Sequence, residues 1–432
     1  MSAIAVRRAP LRRLELSGIV MAAVLVALAF ALLSGADSGH IESSLMLRVL
    51  IYLAAAIVTS LALSRLLPDA DQVMFPVVVL LGGVGLVEVT RLSPTLGNRQ
   101  LLWLVIGDGL LLVTAVWPRN VNWLRLYKYT WASIGFFLIL LTIVHGSDIG
   151  ATGYRRWIGF GGIYLQPVEF LKIFMVIFFA AYLDEKRELL QGGRLVILGV
   201  RLPPFQYLIP LLIMWGLSLL LLIRQDDLGS ALLFLGIFLA MLYVGTSRPI
   251  YPALGGALFV LGTAASYFLF SHVRLRTDIW LNPWGNPSGY QLIQGLFAFA
   301  AGGIAGQGIG LGHPALVPVA YTDFIWAALG EELGLAGLVA LLAAYLLLVF
   351  RGLDIAMTAR DGFQKLMAAG LVSVFAIQTI VIIGGNTRLI PLTGVPLPFL
   401  SYGGSSIVAN FIILGLLLKL SQTVSVGAGR TA

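Results

Sequence analysis

The sequence predicts an all-α, polytopic transmembrane helical bundle of about 12 spans, with a long ordered extracytoplasmic loop before span ten. Three observations carry that reading. Apolar residues make up 59% of the 432 positions and charged residues only 11%, against about 25% charged in a soluble domain. The mean hydropathy is +0.95. The apolar residues fall into runs close to the ~20 residues that cross a bilayer. Lipid must be the solvent for most of such a chain.

Taken in order, Arg7, Arg8, Arg12 and Arg13 precede the first run, Ser17–Ser34. That run is longer than the apolar region of a signal peptide and no small-residue cleavage site follows, so it reads as a retained first helix. The next expected spans are Met46–Leu67, Val73–Val89, Leu101–Val116 and Trp131–Val144, then Gln166–Leu183, Gln206–Ile223 and Leu228–Val244. The polar cluster Arg224–Asp227 makes a tight hairpin between the seventh and eighth. Pro252–Phe270, Phe324–Phe350, Leu366–Gly384 and Ser405–Leu420 complete the set. With both termini inside, 18 of the 28 basic residues fall on inner segments and nine on outer ones, and Lys172 lies within a span. Inner segments of membrane proteins carry such an excess. Trp117, Trp123, Trp157, Trp280 and Trp284 fall near span ends, where amphipathic rings belong.

Several function classes are excluded or weakened. The chain has no cysteine, which removes thiol catalysis and thiolate metal sites. Its four histidines form no HExxH-like pair. The net charge of +8 is explained by the short inner loops, so nucleic acid is not an expected partner. No duplication suggests inverted transporter repeats.

Four constellations could carry chemistry. In Gln166–Lys172, Glu169 and Lys172 lie three apart on one helix face. They read first as a structural ion pair and second as a substrate or ion site, since charges within a span are expensive and usually functional. In Arg224–Ser230, Asp226 and Asp227 could hold a cation or cap span eight. Capping is favoured for Asp226, while Asp227 is left open between cap and metal ligand.

The third constellation is the loop Ser271–Thr322, rich in Gly, Pro and aromatics, with a helix expected at Tyr290–Ala301. Arg274 and Arg276 alternate, as on an extended strand, and their forks suit a phosphate; interfacial anchoring is the alternative. The run Gly306–Gly312 has glycine at every second position, which suits tight turns or a close ligand. Asp323 opens span ten beside Tyr321, Phe324 and Trp326, where desolvation would make it a better base. Glu331 lies ~12 Å deeper along a continuous helix. That is too far for a hydrolytic carboxylate pair of ~5–9.5 Å, so Glu331 and Glu332 are expected to hold helices together or line a cavity. Fourth, three prolines in Pro391–Ser406 preclude regular helix. The Gly-Gly-Ser-Ser opening of span twelve offers amides to an anion, which makes Tyr402, Ser405 and Ser406 candidate substrate-binding residues.

Together these stretches resemble the SEDS family (FtsW, RodA, SpoVE) from about Arg155 to Leu420. The carrying motifs are RWIGFGGIYLQPVEFLK, RQDDLGS, NPWGNPSGYQ, AYTDFIWAALGEELG and TGVPLPFLSYGGSS. The resemblance implies a peptidoglycan glycosyltransferase that polymerises lipid II, partnered with a class B penicillin-binding protein in the bacterial cytoplasmic membrane. It puts the essential aspartate on Asp323 and implies support from a divalent cation, Mg or Mn. Residues 1–150 would then be N-terminal spans, the first two an addition to the family core, and 151–432 the catalytic core with the loop 271–322. The chain departs from the family pattern at Val319, where a glutamate is usual, and at Val168, Asp226, Gly295 and Thr393. The expected chemistry is inverting transfer, with Asp323 as base and with Arg274 and Arg276 meeting the charge of the leaving polyprenyl diphosphate. The rival expectation is a lipid II flippase using Glu169 and Lys172; a third is a division scaffold.

Overall fold

A computed structural model describes residues 12–38, 43–117, 120–148, 154–160, 163–191, 195–197, 200–202 and 205–429. The helices in chain order are α1 (Arg13–Ser38), α2 (Ser43–Leu66), α3 (Met74–Leu92), α4 (Pro94–Val116), α5 (Asn122–Leu126), α6 (Lys128–His145), α7 (Val168–Glu185) and α8 (Arg187–Gln191). They continue with α9 (Phe205–Arg224), α10 (Leu228–Thr246), α11 (Ile250–Leu269), α12 (Ser271–Leu281), α13 (Tyr290–Gly302), α14 (Ile325–Thr358), α15 (Gly362–Asn386) and α16 (Gly404–Gly429). Two antiparallel hairpins interrupt them: β1 (Ile158–Phe160) with β2 (Ile163–Leu165), and β3 (Leu195–Ile197) with β4 (Val200–Leu202).

Eleven of these helices are long and apolar enough to cross a membrane, and the chain is a multi-pass membrane protein. The expected span outside that set is α7, which carries Glu169, Lys172, Asp184 and Glu185. Glu169 and Lys172 are tolerable because almost every residue from Val168 to Leu183 is buried, and Asp184 and Glu185 lie at its less buried end. It packs against α6, α10, α15 and α16. A helix surrounded by protein needs no lipid-compatible face, and its polar groups can find partners. By contrast, most residues of α11 are exposed and only Tyr251 is buried.

The expected span Phe324–Phe350 becomes α14, which runs further, to Thr358, and is broken at Gly334 (φ 66°, ψ −174°). Only glycine takes that backbone conformation at low cost. At the break the chain is stitched to the glycine-rich segment. Gln307 N donates to Glu331 O at 2.9 Å, Gly308 N to Glu332 O at 2.9 Å, and Leu335 N to Gly303 O at 2.9 Å. Gly306, Gly308 and Gly310 all have positive φ. The glycines of this run therefore serve tight turns packed against the chain's own backbone.

The segment Ser271–Thr322 contains α12, α13 and three short 3-10 turns. The expected helix at Tyr290–Ala301 is α13. The extended strand read at Arg274 and Arg276 is overturned, since both lie on α12. Residues two apart on a helix diverge by about 200°, so the two arginines cannot share one face.

Candidate active site

Asp323 lies two residues before α14, next to its N-cap Phe324, and three consecutive carbonyls fix its backbone. Tyr321 O accepts from Tyr402 N at 2.8 Å, Thr322 O from Ser401 Oγ at 2.6 Å, and Asp323 O from Asn386 Nδ2 at 2.7 Å. The donors come from the end of α15 and from the proline-rich segment that leads to α16. Three prolines leave that segment without helix, and its Gly394 has φ 69°. A Cβ at Gly394 would sit 3.5 Å from Asp323 Oδ2, so glycine keeps the space before the carboxylate open.

The half-buried Asp323 faces a cavity of about 150 Å³, room for about five waters at ~30 Å³ each. Arg156, Gln166, Glu169, Asp226, Asp227, Ser230, Arg276 and residues 393–396 complete its lining. Burial pushes the Asp323 carboxyl above its ordinary range. A hydrogen bond from Thr322 and the charge of Arg276 oppose the rise, Asp227 adds to it, and Arg156 opposes it. A carboxylate whose pKa is raised is, once ionised, a stronger base than a solvated one.

The turn between α9 and α10 supplies the facing wall. Asp227, not Asp226, caps α10: its carboxylate accepts from Ser230 N at 3.0 Å and from Ser230 Oγ at 2.8 Å. The cap expected at Asp226 is therefore corrected by one residue. Asp226 has φ 56°. Its carboxylate lies 2.8 Å from His272 Nε2 and 3.7 Å from Arg156 Nη2. Arg156 also donates to Gln225 O and Asp226 O, both at 2.9 Å.

Glu169 and Lys172 pair at 2.7 Å, with side chains 4% and 1% exposed. Lys172 Nζ also donates to Gln378 Oε1 at 3.1 Å, and Gln378 Nε2 to Pro396 O at 2.6 Å. The structural pair favoured from the spacing is formed, and Glu169 also lines the cavity.

The other candidates divide. Arg276 reaches the cavity and donates to Leu392 O at 3.3 Å. Arg274 does not: it turns back onto Tyr267 O and Phe268 O at 3.3 Å and over the Tyr267 ring. Tyr402, Ser405 and Ser406 are outside the cavity lining. Ser405 Oγ accepts from Gln166 N at 2.8 Å, Ser406 Oγ from Asn410 Nδ2 at 3.3 Å, and Tyr402 stands edge-on to Tyr321. Their work in this structure is to hold the opening of α16.

Sequence reasoning counted Arg156 only toward orientation and gave no part to Ser230, His272 or Gln378. The one available signal was that Arg156 lies inside the RWI motif.

A divalent cation fits this cavity poorly. Both Asp227 oxygens are engaged by Ser230, Glu169 is engaged by Lys172, and Asp226 faces His272 and Arg156. Among the described residues no group of three or more His, Asp or Glu could hold a metal ion.

A larger cavity of about 330 Å³ is lined by Arg91, Leu92 and residues 312–316. Its arginine is already used, in an ion pair with Glu332 and a 2.6 Å bond to Gly312 O.

Residues 69–426 match the model of the FtsW/RodA/SpoVE cell cycle proteins. The chain belongs to that family. It is 42% identical over 376 residues to the peptidoglycan glycosyltransferase RodA of Mycobacterium bovis, covering 84% of this chain and 80% of that one. The Mycobacterium leprae RodA aligns at 38% identity over 424 residues, 95% of this chain and 90% of its own length. A solved structure described as "Structural coordination of polymerization and crosslinking by a peptidoglycan synthase complex" superposes with a TM-score of 0.68 at 26% identity, covering 82% of this chain and 98% of the other. The rod shape determining protein RodA of Thermus thermophilus superposes at 0.57 and 24% identity, covering 82% and 96%, which speaks for the fold. The expected SEDS membership and the all-α polytopic bundle both hold.

Proposed function

We propose that Asp323 is the general base of a glycosyl transfer carried out in this cavity. The enzyme class is a peptidoglycan glycosyltransferase that polymerises glycan strands. The acceptor sugar hydroxyl gives its proton to Asp323, and its oxygen forms a bond to the donor anomeric carbon from the opposite face. The bond from that carbon to the phosphate oxygen breaks, and its electron pair leaves with the polyprenyl diphosphate. Arg276 meets the charge that develops there, a role suited to a permanently charged fork. Arg156, bonded to the α9–α10 turn, adds a second positive charge. The substrate is a lipid-linked disaccharide, lipid II, whose tail stays in the bilayer along the exposed apolar helices. The cavity opens to the outer face of the bacterial cytoplasmic membrane, both termini are cytoplasmic, and a class B penicillin-binding protein is the partner. No step requires a metal ion.

One observation supports this reading above the others: the half-buried carboxylate of Asp323, whose backbone is fixed through three consecutive carbonyls, shares a cavity with Arg276 and Arg156. The test is purified protein with lipid II, with and without the partner, scored for polymer. Wild type should form glycan strands and Asp323→Asn should not. If Asp323→Asn still moves lipid II across vesicles and wild type forms no polymer, the flippase reading replaces this one.

A further inference from the structure

α12 is about 16 Å long, places Arg276 in the cavity lining and is fastened at both ends. At its N-terminal end, His272 Nε2 lies 2.8 Å from the Asp226 carboxylate on the α9–α10 turn. At its C-terminal end, Arg388 donates from Nε to Trp280 O at 2.7 Å and from Nη2 to Leu281 O at 2.5 Å. Trp280 Nε1 returns a bond to Arg388 O at 3.1 Å. Each fastening suits the helix end it holds. A carboxylate stands at the N-terminus, and a guanidinium satisfies carbonyls at the C-terminus that have no partner within the helix. Between the two lies Arg276, turned into the cavity and bonded to Leu392 O. The other charged side chains of α12 are engaged with the α11 end: Asp278 accepts from Tyr267 OH at 3.1 Å, and Arg274 donates to Tyr267 O and Phe268 O.

The two anchoring points belong to the two walls of the cavity. The α9–α10 turn carries Asp227 and Ser230, and the segment after Arg388 carries Thr393 and Gly394, opposite Asp323. A displacement of either end of α12 would therefore move Arg276 relative to Asp323. Asp226 can make the first fastening because it is an acid.

We propose that His272 and Arg388 are positioning residues, clamping α12 at its two ends so that Arg276 is held in the cavity. The proposal rests on the glycosyl-transfer reading for its kinetic consequence and not for its structural one.

The chain has no cysteine, so spin labels on Leu275→Cys and Ile223→Cys, both exposed, report the α12–α9 distance cleanly in the full-length protein in lipid nanodiscs. The expected wild-type result is one narrow distance distribution. His272→Ala and Arg388→Ala should each broaden it, while His272→Gln, which keeps a donor, should not. The swap His272→Asp with Asp226→His should restore the narrow distribution. In polymerisation kinetics with lipid II, His272→Ala should lower kcat about tenfold, with KM within about twofold. The swap should recover most of the rate. Distributions unchanged in both alanine variants, or a swap no better than His272→Ala, would overturn the clamp. The functional reading fails separately, through polymer made by Asp323→Asn, and the label distances are independent of that outcome.

Discussion

Asp323, two residues before α14, and the pair Glu331–Glu332, just before its break at Gly334, flank the first, short stretch of that helix, and their carboxylates meet different surroundings. Glu331 accepts from His313 N at 2.7 Å, and Glu332 accepts from Gly310 N at 3.3 Å and pairs with Arg91. Both are buried, and fixed donors of the glycine-rich loop and α3 use their oxygens. Asp323 is held instead through its backbone, and its carboxylate faces a cavity across from a glycine. The difference teaches where chemistry can reside. A carboxylate whose lone pairs are taken by immobile donors is structural. One that is desolvated yet left open to a cavity keeps its capacity to take a proton.

The largest expected effect follows from that contrast. Asp323→Asn should lower polymerisation about 10²- to 10⁴-fold with the thermal midpoint nearly unchanged, whereas Glu331→Gln should change the rate only a few-fold; initial rates and melting curves on the two purified variants check this. Arg276→Ala should cost about 10²- to 10³-fold in kcat, as when one charge-stabilising donor is removed. Arg276→Lys should cost less, because charge persists while the fork is lost; kcat and KM on lipid II measure both. Arg91→Leu should move stability more than chemistry, by about 3–5 kcal/mol, since it leaves Glu332 buried without its partner; denaturation in detergent reads this. Lys172→Met should destabilise on the same scale, and adding Glu169→Gln should recover part of the loss. A double variant less stable than either single one would mean that the pair does more than hold α7 to Gln378 on α15.

Much of this was legible in the sequence. Apolar runs mark the spans because lipid imposes length and composition on each one. The spacing of Glu169 and Lys172 fixed their pairing, since residues three apart on a helix are neighbours. Asp323 was visible as a carboxylate at a helix start among aromatics. The misreadings have local causes. VRLR is too short to separate a period of 2 from one of 3.6, so the two arginines were given one face when α12 turns them apart. The cap moved from Asp226 to Asp227 because helix starts are ambiguous by a residue or two, although Ser230, three residues past Asp227, is the side chain that completes the cap. The fastening of Arg156 to Gln225 and Asp226 joins positions about 70 apart in the chain, and no local pattern records such a contact. Ser405 and Ser406 drew attention as amide-rich anion binders, while the fold uses their hydroxyls to seat Gln166 and Asn410.

The most direct test of Asp323 as the base is the acid limb of the kcat/KM profile on lipid II. Only the ionised carboxylate accepts a proton, so the rate should fall as pH drops through the Asp323 pKa. Burial raises that pKa above the ordinary aspartate range, and Arg276 opposes the rise. The limb should therefore lie above the usual ~4, move to higher pH in Arg276→Ala, and be absent from the residual rate of Asp323→Asn. An acid limb that stays at the same pH in Arg276→Ala and persists in Asp323→Asn would contradict the assignment.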